Sequence, residues 1–347
     1  MNNLCPEGFD QMPALLLQHG GLKSLTGKTG LALLRHRRGP IAVVIDPDHA
    51  NGSLAEITGI DRKVPIVRDL AAALPYRPAV AVVGLAPSGG GLPDPVRRDA
   101  LAALQAGLSL ASGLHTQLGE DPDFKAACQD GQWIWDLRRE PLTVQVGQAR
   151  AAALPCKRVL AVGTDMAVGK MSACLALQAA AERRHLLCRF VGTGQAGILI
   201  SGHGVPLDAV RVDYAAGAVE AAVLEAGSGL LERDLLVVEG QGSLCHPGSS
   251  ATLPLMRGSQ PTALLMVHRA GQSTIGRLPE VPLPPLKECI SLCESLAAIA
   301  RPRGEGPPPK VQALALNTAE LSAEEAQRCI HSCQDELGLP CDDPIRN

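Results

Sequence analysis

An aliphatic run at residues 158–162 leads into Gly163-Thr164-Asp165-Met166-Ala167-Val168-Gly169-Lys170-Met171-Ser172, and a helical pattern over 171–184 follows directly. Glycines at both ends of such a turn let successive backbone N–H groups face one anion. The helix N-terminus adds its dipole, and a lysine at this position adds a full positive charge. The spacing predicts a phosphate loop that binds through Gly163, Thr164, Asp165, Gly169, Lys170 and Ser172. One position departs from the usual signature: the residue after the lysine is Met171, where a Ser or Thr hydroxyl ordinarily ligates Mg²⁺ together with a nucleotide. A thioether does not replace that hard oxygen, and Ser172 lies about 100° further round the helix. The pattern favours phosphate binding over Mg-dependent hydrolysis, and no protein-held metal is expected.

A second group of reactive residues begins at the end of the run 235–238, with Glu239-Gly240-Gln241-Gly242-Ser243-Leu244-Cys245-His246. A carboxylate at such a strand end is where phosphate-loop proteins hold Mg²⁺ or an activating water. Glu239 is the carboxylate in that position, and His246 brings an imidazole, a side chain suited to taking a proton near neutral pH. Ser243 is placed to orient a substrate. Cys245 is a possible nucleophile without an assignable general base. Thr193 and Gln195, in the glycine-rich turn Gly192-Thr193-Gly194-Gln195-Ala196-Gly197, are expected to line the cofactor site, where the glycines give the backbone freedom for close ligand approach.

The elements that must position these residues read as two α/β series. In the first, strands are expected at 14–18, 41–45, 79–85, 108–111 and 133–137, alternating with helical stretches at 26–36, 94–106 and 121–129. Asp94 and Asp121 each precede a proline, the arrangement of an N-cap followed by Pro at the first helical position. In the second, strands are expected at 158–162, 186–191, 209–212, 235–238, 263–267 and 311–316. The Pro-rich stretches 277–285 and 301–309 read as loops. A linker without strong periodicity covers 138–156, so the expected division is a doubly wound, Rossmann-like domain over 1–145 and a phosphate-loop domain over 146–347.

Composition narrows the classes of function. Hydrophobic residues make up 46% of the chain but aromatics only 2%, so the cores must be aliphatic, as buried parallel strands are. Single-stranded nucleic-acid readers need rows of rings, and a net charge of -3 lacks the basic surplus that a phosphate backbone attracts, so nucleic acid is not expected as a partner. Only Phe190 and Tyr214 of the seven aromatic residues fall in the phosphate-loop half, so recognition there should be of phosphates and carboxylates rather than ring faces. Uncharged stretches such as 190–207 are broken by Gly, Ser, His and Pro, so no membrane span is expected, and no secretory leader is read at the start. Eleven cysteines without zinc-ribbon spacing point to a reducing cytoplasm. A small-molecule substrate and a homo-oligomeric state are expected.

The loop starting Gly-Thr-Asp, taken with Val238-Glu239-Gly240, resembles dethiobiotin synthetase and its relatives, which would imply ATP with Mg²⁺ and a ligase or kinase reaction. The wider set of motifs is more specific. Gly163 to Met171, Thr193-Gly194-Gln195-Ala196-Gly197-Ile198, Glu239 to Pro247 and Gly258-Ser259-Gln260-Pro261-Thr262-Ala263 together resemble the D-glutamate N-acetyltransferase family. In the first half, Gly27-Lys28-Thr29, Val44-Ile45-Asp46, Ala86-Pro87-Ser88-Gly89-Gly90 and Ser112-Gly113-Leu114-His115 do so too. The resemblance spans about residues 14 to 320. It implies an acetyl group moved from acetyl-CoA to the amine of an acidic amino acid, D-glutamate by the family's name, with Arg257 and Lys28 as partners for substrate carboxylates. It also implies Glu239 or Asp165 as the base with His246 third, and backbone at Gly194 or Gly240 as donor to the oxyanion. A non-catalytic nucleotide or CoA sensor is the contrasting reading; a pure binder has little need of Glu239, Ser243, His246 and Arg257 together.

Overall fold

The four residues of β1 (Ala14–Leu17) are all fully buried, and because successive side chains of a strand point to opposite faces, Leu15 and Leu17 join one core and Ala14 and Leu16 another. A strand covered on both faces must lie inside a sheet, and β1 does. With β2 (Ile41–Ile45), β3 (Ile66–Val67), β4 (Val80–Val83), β5 (Ser109–Ser112) and β6 (Ile134–Asp136) it forms a parallel sheet in the order β3-β2-β1-β4-β5-β6. That is the order of a Rossmann sheet, in which the strand order, not the strand direction, reverses between β1 and β4. One face packs Leu16, Leu33, Val44, Val82, Trp135, Ile198 and Leu199; the other packs Leu17, Val43, Val83, Val96, Leu104 and Phe124.

The computed structural model describes residues 5–87, 91–304 and 306–346. The chain forms two compact units. The first takes the residues up to Leu142 together with Gln195–Ala209; the second takes Thr143–Gly194 and everything from Val210 onward. The helix Gln195–Ser201 therefore belongs to the first unit, where Ile198 and Leu199 fill the core beside the helix Lys28–His36. Of the motifs read in the first half, Ser88, Gly89 and Gly90 lie outside the described residues.

The second unit is built on a sheet of β7 (Lys157–Gly163), β8 (Cys188–Val191), β9 (Leu235–Val238), β10 (Ala263–Arg269), β13 (Val311–Asn317) and β14 (Cys341–Asp342), all parallel, in the order β14-β13-β10-β7-β9-β8. The short strands β11 (Thr274–Ile275) and β12 (Leu278–Pro282) pair antiparallel as a separate ribbon. Both main sheets are parallel α/β sheets, as the sequence pattern predicts. The last helix, Ala323–Leu337, begins with a reciprocal capping box between Ser322 and Glu325, which satisfies two of the amide donors a helix N-terminus leaves open. No helix among the described residues is long and apolar enough to cross a membrane.

Three sequence expectations need correction. Residues 209–212 are not a strand. Short 3₁₀ turns at Leu207–Ala209 and Val212–Tyr214 take their place, Val212 is exposed, and Arg211 lies over the Tyr214 ring at 4.7 Å. The alternation of Val210 and Val212 has no sheet to bury it. Asp94 is not a cap: Pro93 holds that position and Asp94 is already the first helical residue, whereas Asp121 does cap its helix by accepting from the Asp123 amide. The Pro-rich stretch 277–285 is not wholly loop, since β12 runs through Pro279 and Pro282. A two-stranded ribbon tolerates them because its outer edge needs no amide donors.

Candidate functional site

In the second unit β7 lies between β9 and β10, so the carboxyl ends of three adjacent parallel strands bring the phosphate loop, Glu239 and His268 together. This is where α/β sheets hold ligands. The loop leaves β7 at Gly163 and enters the helix Lys170–Arg183 through Gly169, whose φ of 113° is a left-handed conformation that a side chain would strain. Asn317 Nδ2 donates to the Val168 carbonyl at 3.0 Å and Arg269 to the Ala167 carbonyl at 3.0 Å, so the ends of β13 and β10 brace the turn from outside. Among the described residues the N–H groups of Ala167, Val168 and Gly169 have no hydrogen-bond partner. With the open amides of the first helical turn, they present a set of donors that suits an anion.

Lys170 is 7% exposed, and its Nζ donates to the Asp165 carbonyl at 2.7 Å. Burial pulls its ammonium down to about 8, against the upward pull of Asp165 and Glu239. Glu239 is equally buried. Its Oε2 accepts from the amides of Thr193 at 2.7 Å and Gly194 at 3.1 Å, while the Thr193 hydroxyl donates to the Glu239 carbonyl at 3.0 Å. Those amides and Lys170 favour the carboxylate, but burial outweighs them and raises its pKa to about 7. A lysine near 8 beside a glutamate near 7 is a pair poised to exchange protons with a ligand near neutral pH. Gly194 is not available to an oxyanion, because its amide is engaged by Glu239.

The other expected residues divide into those in the cluster and those outside it. Asp165 has both carboxylate oxygens engaged: Oδ1 accepts from the Met166 amide at 2.6 Å, and Oδ2 from Gln272 Nε2 at 2.6 Å and the Gly276 amide at 2.7 Å. It fastens the loop to the turn between β11 and β12, a positioning role. Ser243 is 1% exposed, and its hydroxyl donates to the Thr164 carbonyl at 2.7 Å while accepting from the Cys245 amide at 3.0 Å. It ties the segment after Glu239 to the phosphate loop. His246 is half-buried, and its Nδ1 accepts from the Gly248 amide at 3.0 Å within its own turn. Arg257 is exposed in the last turn of the helix Thr252–Ser259, and Ser172 is half-buried in the first turn of the helix Lys170–Arg183. Lys28 and Gln195 belong to the first unit, as the exposed first residue of Lys28–His36 and the buried first residue of Gln195–Ser201. The Gly258 to Gln260 motif serves packing. A side chain at Gly258 would come 2.3 Å from the Ala216 carbonyl, and Gln260 Nε2 donates to the carbonyls of Arg257 and Ala300.

Sequence reasoning missed His268. At the end of β10, its Nδ1 is 2.8 Å from the Thr164 hydroxyl, and burial lowers its pKa, so the imidazole is neutral at pH 7. Its signal was faint: one histidine closing an apolar run, eleven residues beyond Arg257, the nearest expected site residue. Gly240 is also essential to the cluster. A Cβ there would lie 1.8 Å from the Ala161 carbonyl and 2.9 Å from Lys170 Cδ. Gly240→Ala is expected to cost about 3 kcal/mol by overpacking, read as a lowered urea midpoint at unchanged slope; an unchanged midpoint would mean that β9 has room to shift.

Among the described residues no group of three or more His, Cys, Asp or Glu side chains is placed to hold a metal ion. Two family profiles match the chain: a domain of unknown function (DUF1611_N) described as a Rossmann-like domain, over residues 47–140, and a domain of unknown function (DUF1611_C) described as a P-loop domain, over residues 145–347. A D-glutamate N-acetyltransferase of Tritonibacter scottomollicae is 36% identical over 304 residues, 87% of this chain and 88% of its own length. One from a Pseudoalteromonas species is 32% identical over 268 residues, 77% of each. The crystal structure of a DUF1611 family protein from Anabaena variabilis superposes with a TM-score of 0.89 at 52% identity, over 97% of this chain and 96% of that one. With both halves matched and relatives aligned over most of its length, the chain belongs to the DUF1611 family, with a Rossmann-like and a P-loop domain.

Proposed function

We propose that this protein is an N-acetyltransferase that moves the acetyl group of acetyl-CoA to the amine of D-glutamate. The names of the two curated relatives support the reaction class, and the buried Lys170–Glu239 pair beneath an anion-binding loop is the observation that carries it to particular residues. The diphosphate of CoA suits the open amides of Ala167 to Gly169 and the charge of Lys170. Met171 offers no hydroxyl for the Mg²⁺ that an ATP-dependent ligase would need in this position. Arg257, in the same unit as the phosphate loop, is the proposed partner for a carboxylate of the amino acid, which a guanidinium recognises in bidentate fashion.

In this reading the substrate ammonium loses a proton to Glu239, whose Oε1 is not held by the amides that grip Oε2. The free amine attacks the thioester carbonyl, a C–N bond forms, the C–S bond breaks, and CoA leaves as the thiolate that the remaining proton neutralises. His268, hydrogen-bonded to Thr164, is the nearby neutral base that can relay that proton.

The test is an assay of the purified chain with acetyl-CoA and D-glutamate, following free thiol release and N-acetylglutamate by mass spectrometry, beside thermal shifts with acetyl-CoA, CoA and ATP plus Mg²⁺. Stoichiometric thiol and N-acetylglutamate, with stabilisation by acetyl-CoA, are expected. Stabilisation by ATP plus Mg²⁺ alone, without acetyl transfer, would replace this reading with the ligase or kinase one.

A further inference from the structure

The mechanism leaves unused a pair of thiols at the edge of the same cluster. Cys245 Sγ is 3.7 Å from Cys289 Sγ, although the two are 44 residues apart. Cys245 is half-buried and sits two residues beyond Ser243; Cys289 is buried in the first turn of the helix Leu286–Ala297, where its Sγ also lies 3.5 Å from the Pro284 carbonyl. Cys293, one turn further along, is buried as well. We propose that Cys245 and Cys289 form a reversible disulfide by exchange with a low-molecular-weight disulfide, and that this link loosens the Ser243 tie to the phosphate loop.

The roles follow from exposure and hydrogen bonding. Cys245 is the thiol that solvent reaches, and its hydrogen-bonding contact with the Cys289 thiol lowers the Cys245 pKa to about 7 and raises that of Cys289. The Cys245 thiolate attacks one sulfur of the incoming disulfide, forming a mixed disulfide and releasing one thiolate. Cys289 then gives up its proton and attacks Cys245 Sγ; the S–S bond closes inside the protein and the second small thiol leaves. Two electrons pass from the protein to the reagent, which is reduced to two thiols.

Closing the bond carries a mechanical consequence. The sulfurs must come from 3.7 Å to roughly 2.05 Å. Cys289 is held in a twelve-residue helix, so the turn carrying Cys245 is the part that yields. The Cys245 amide donates to the Ser243 hydroxyl, and that hydroxyl donates to the Thr164 carbonyl, so displacement of Cys245 acts on the phosphate loop through one side chain.

The experiment is incubation of the full chain with oxidised glutathione, followed by non-reducing peptide mapping and amide hydrogen exchange. It does not depend on the acetyl-transfer reading. A Cys245–Cys289 peptide is expected, with exchange at the Ser243 and Cys245 amides about tenfold faster, as suits loss of one buried hydrogen bond, and reversal by dithiothreitol. Cys289→Ser should trap Cys245 as the glutathione adduct, and Cys245→Ser should leave both amides indifferent to the reagent. A wild-type chain whose Cys245 stays free or stops at the adduct overturns the proposal, as does a formed Cys245–Cys289 link with unchanged exchange at those amides.

Discussion

Glu239→Gln is expected to lower acetyl transfer to D-glutamate by about 10²- to 10⁴-fold, the range over which a positioned general base accelerates a reaction. The substitution is selective: the glutamine carbonyl can still accept from the amides of Thr193 and Gly194, so the local fold keeps its ties while the proton acceptor is lost. In the wild type the rate should fall as the pH drops below about 7, where Glu239 takes up a proton. That limb should be missing from the variant's pH profile. Stability should move the other way. The folded pKa of Glu239 is raised from 4.5, so its contribution is fully present below 4.5 and is lost as the pH rises through about 7. At pH 8 the raised pKa of the buried carboxyl costs folding about 3 kcal/mol relative to a carboxyl that keeps its ordinary pKa, and the glutamine variant should unfold at a higher temperature than the wild type there. A variant with wild-type turnover, or with no gain of stability at pH 8, would remove Glu239 from the role of base.

Lys170→Met should weaken acetyl-CoA binding by about a hundredfold, the scale of one charged hydrogen-bonding partner removed from a buried site. The pH dependence is the sharper observable. Burial pulls the Lys170 ammonium to about 8 in the free protein, so at pH 8 a large part of it is neutral. An anionic ligand beside it restores the charge, and binding must then take up protons. Calorimetry at pH 8 in buffers of different ionisation enthalpy should show uptake of about half a proton for the wild type and none for the methionine variant. Equal affinity for the two proteins would mean that the loop's lysine serves only to hold the Asp165 carbonyl.

The phosphate loop, the Glu239 strand end and most strands were legible because each rests on a local pattern. A continuous aliphatic run such as 235–238 can be buried on both faces only in a parallel sheet, and a glycine-flanked turn before a helix with lysine at its start has one plain use. The missing parts depend on distant partners. The role of Asp165 is set by Gln272 and Gly276, more than a hundred residues away, in a ribbon whose prolines hid it. Ser243 was expected to orient a substrate, but its hydroxyl is consumed by Thr164, again a contact between segments. The short strands Ile66–Val67 and Cys341–Asp342 are too brief to carry any periodicity, and sheet edges alone define them.

The passage of Gln195–Ala209 into the first unit has a consequence for the order in which the molecule can be made. Ile198 and Leu199 complete the core beside Leu33 and Leu34, and Arg37 donates to the Leu199 carbonyl at 3.3 Å. A nascent chain emerging from its N-terminus therefore cannot close the first core when the first 142 residues are out. It must wait until residue 199, and by then β7, the phosphate loop and the helix Lys170–Arg183 have already been synthesised. Domains usually fold one after another during synthesis; here completion of the first is held back until the anion-binding part of the second exists.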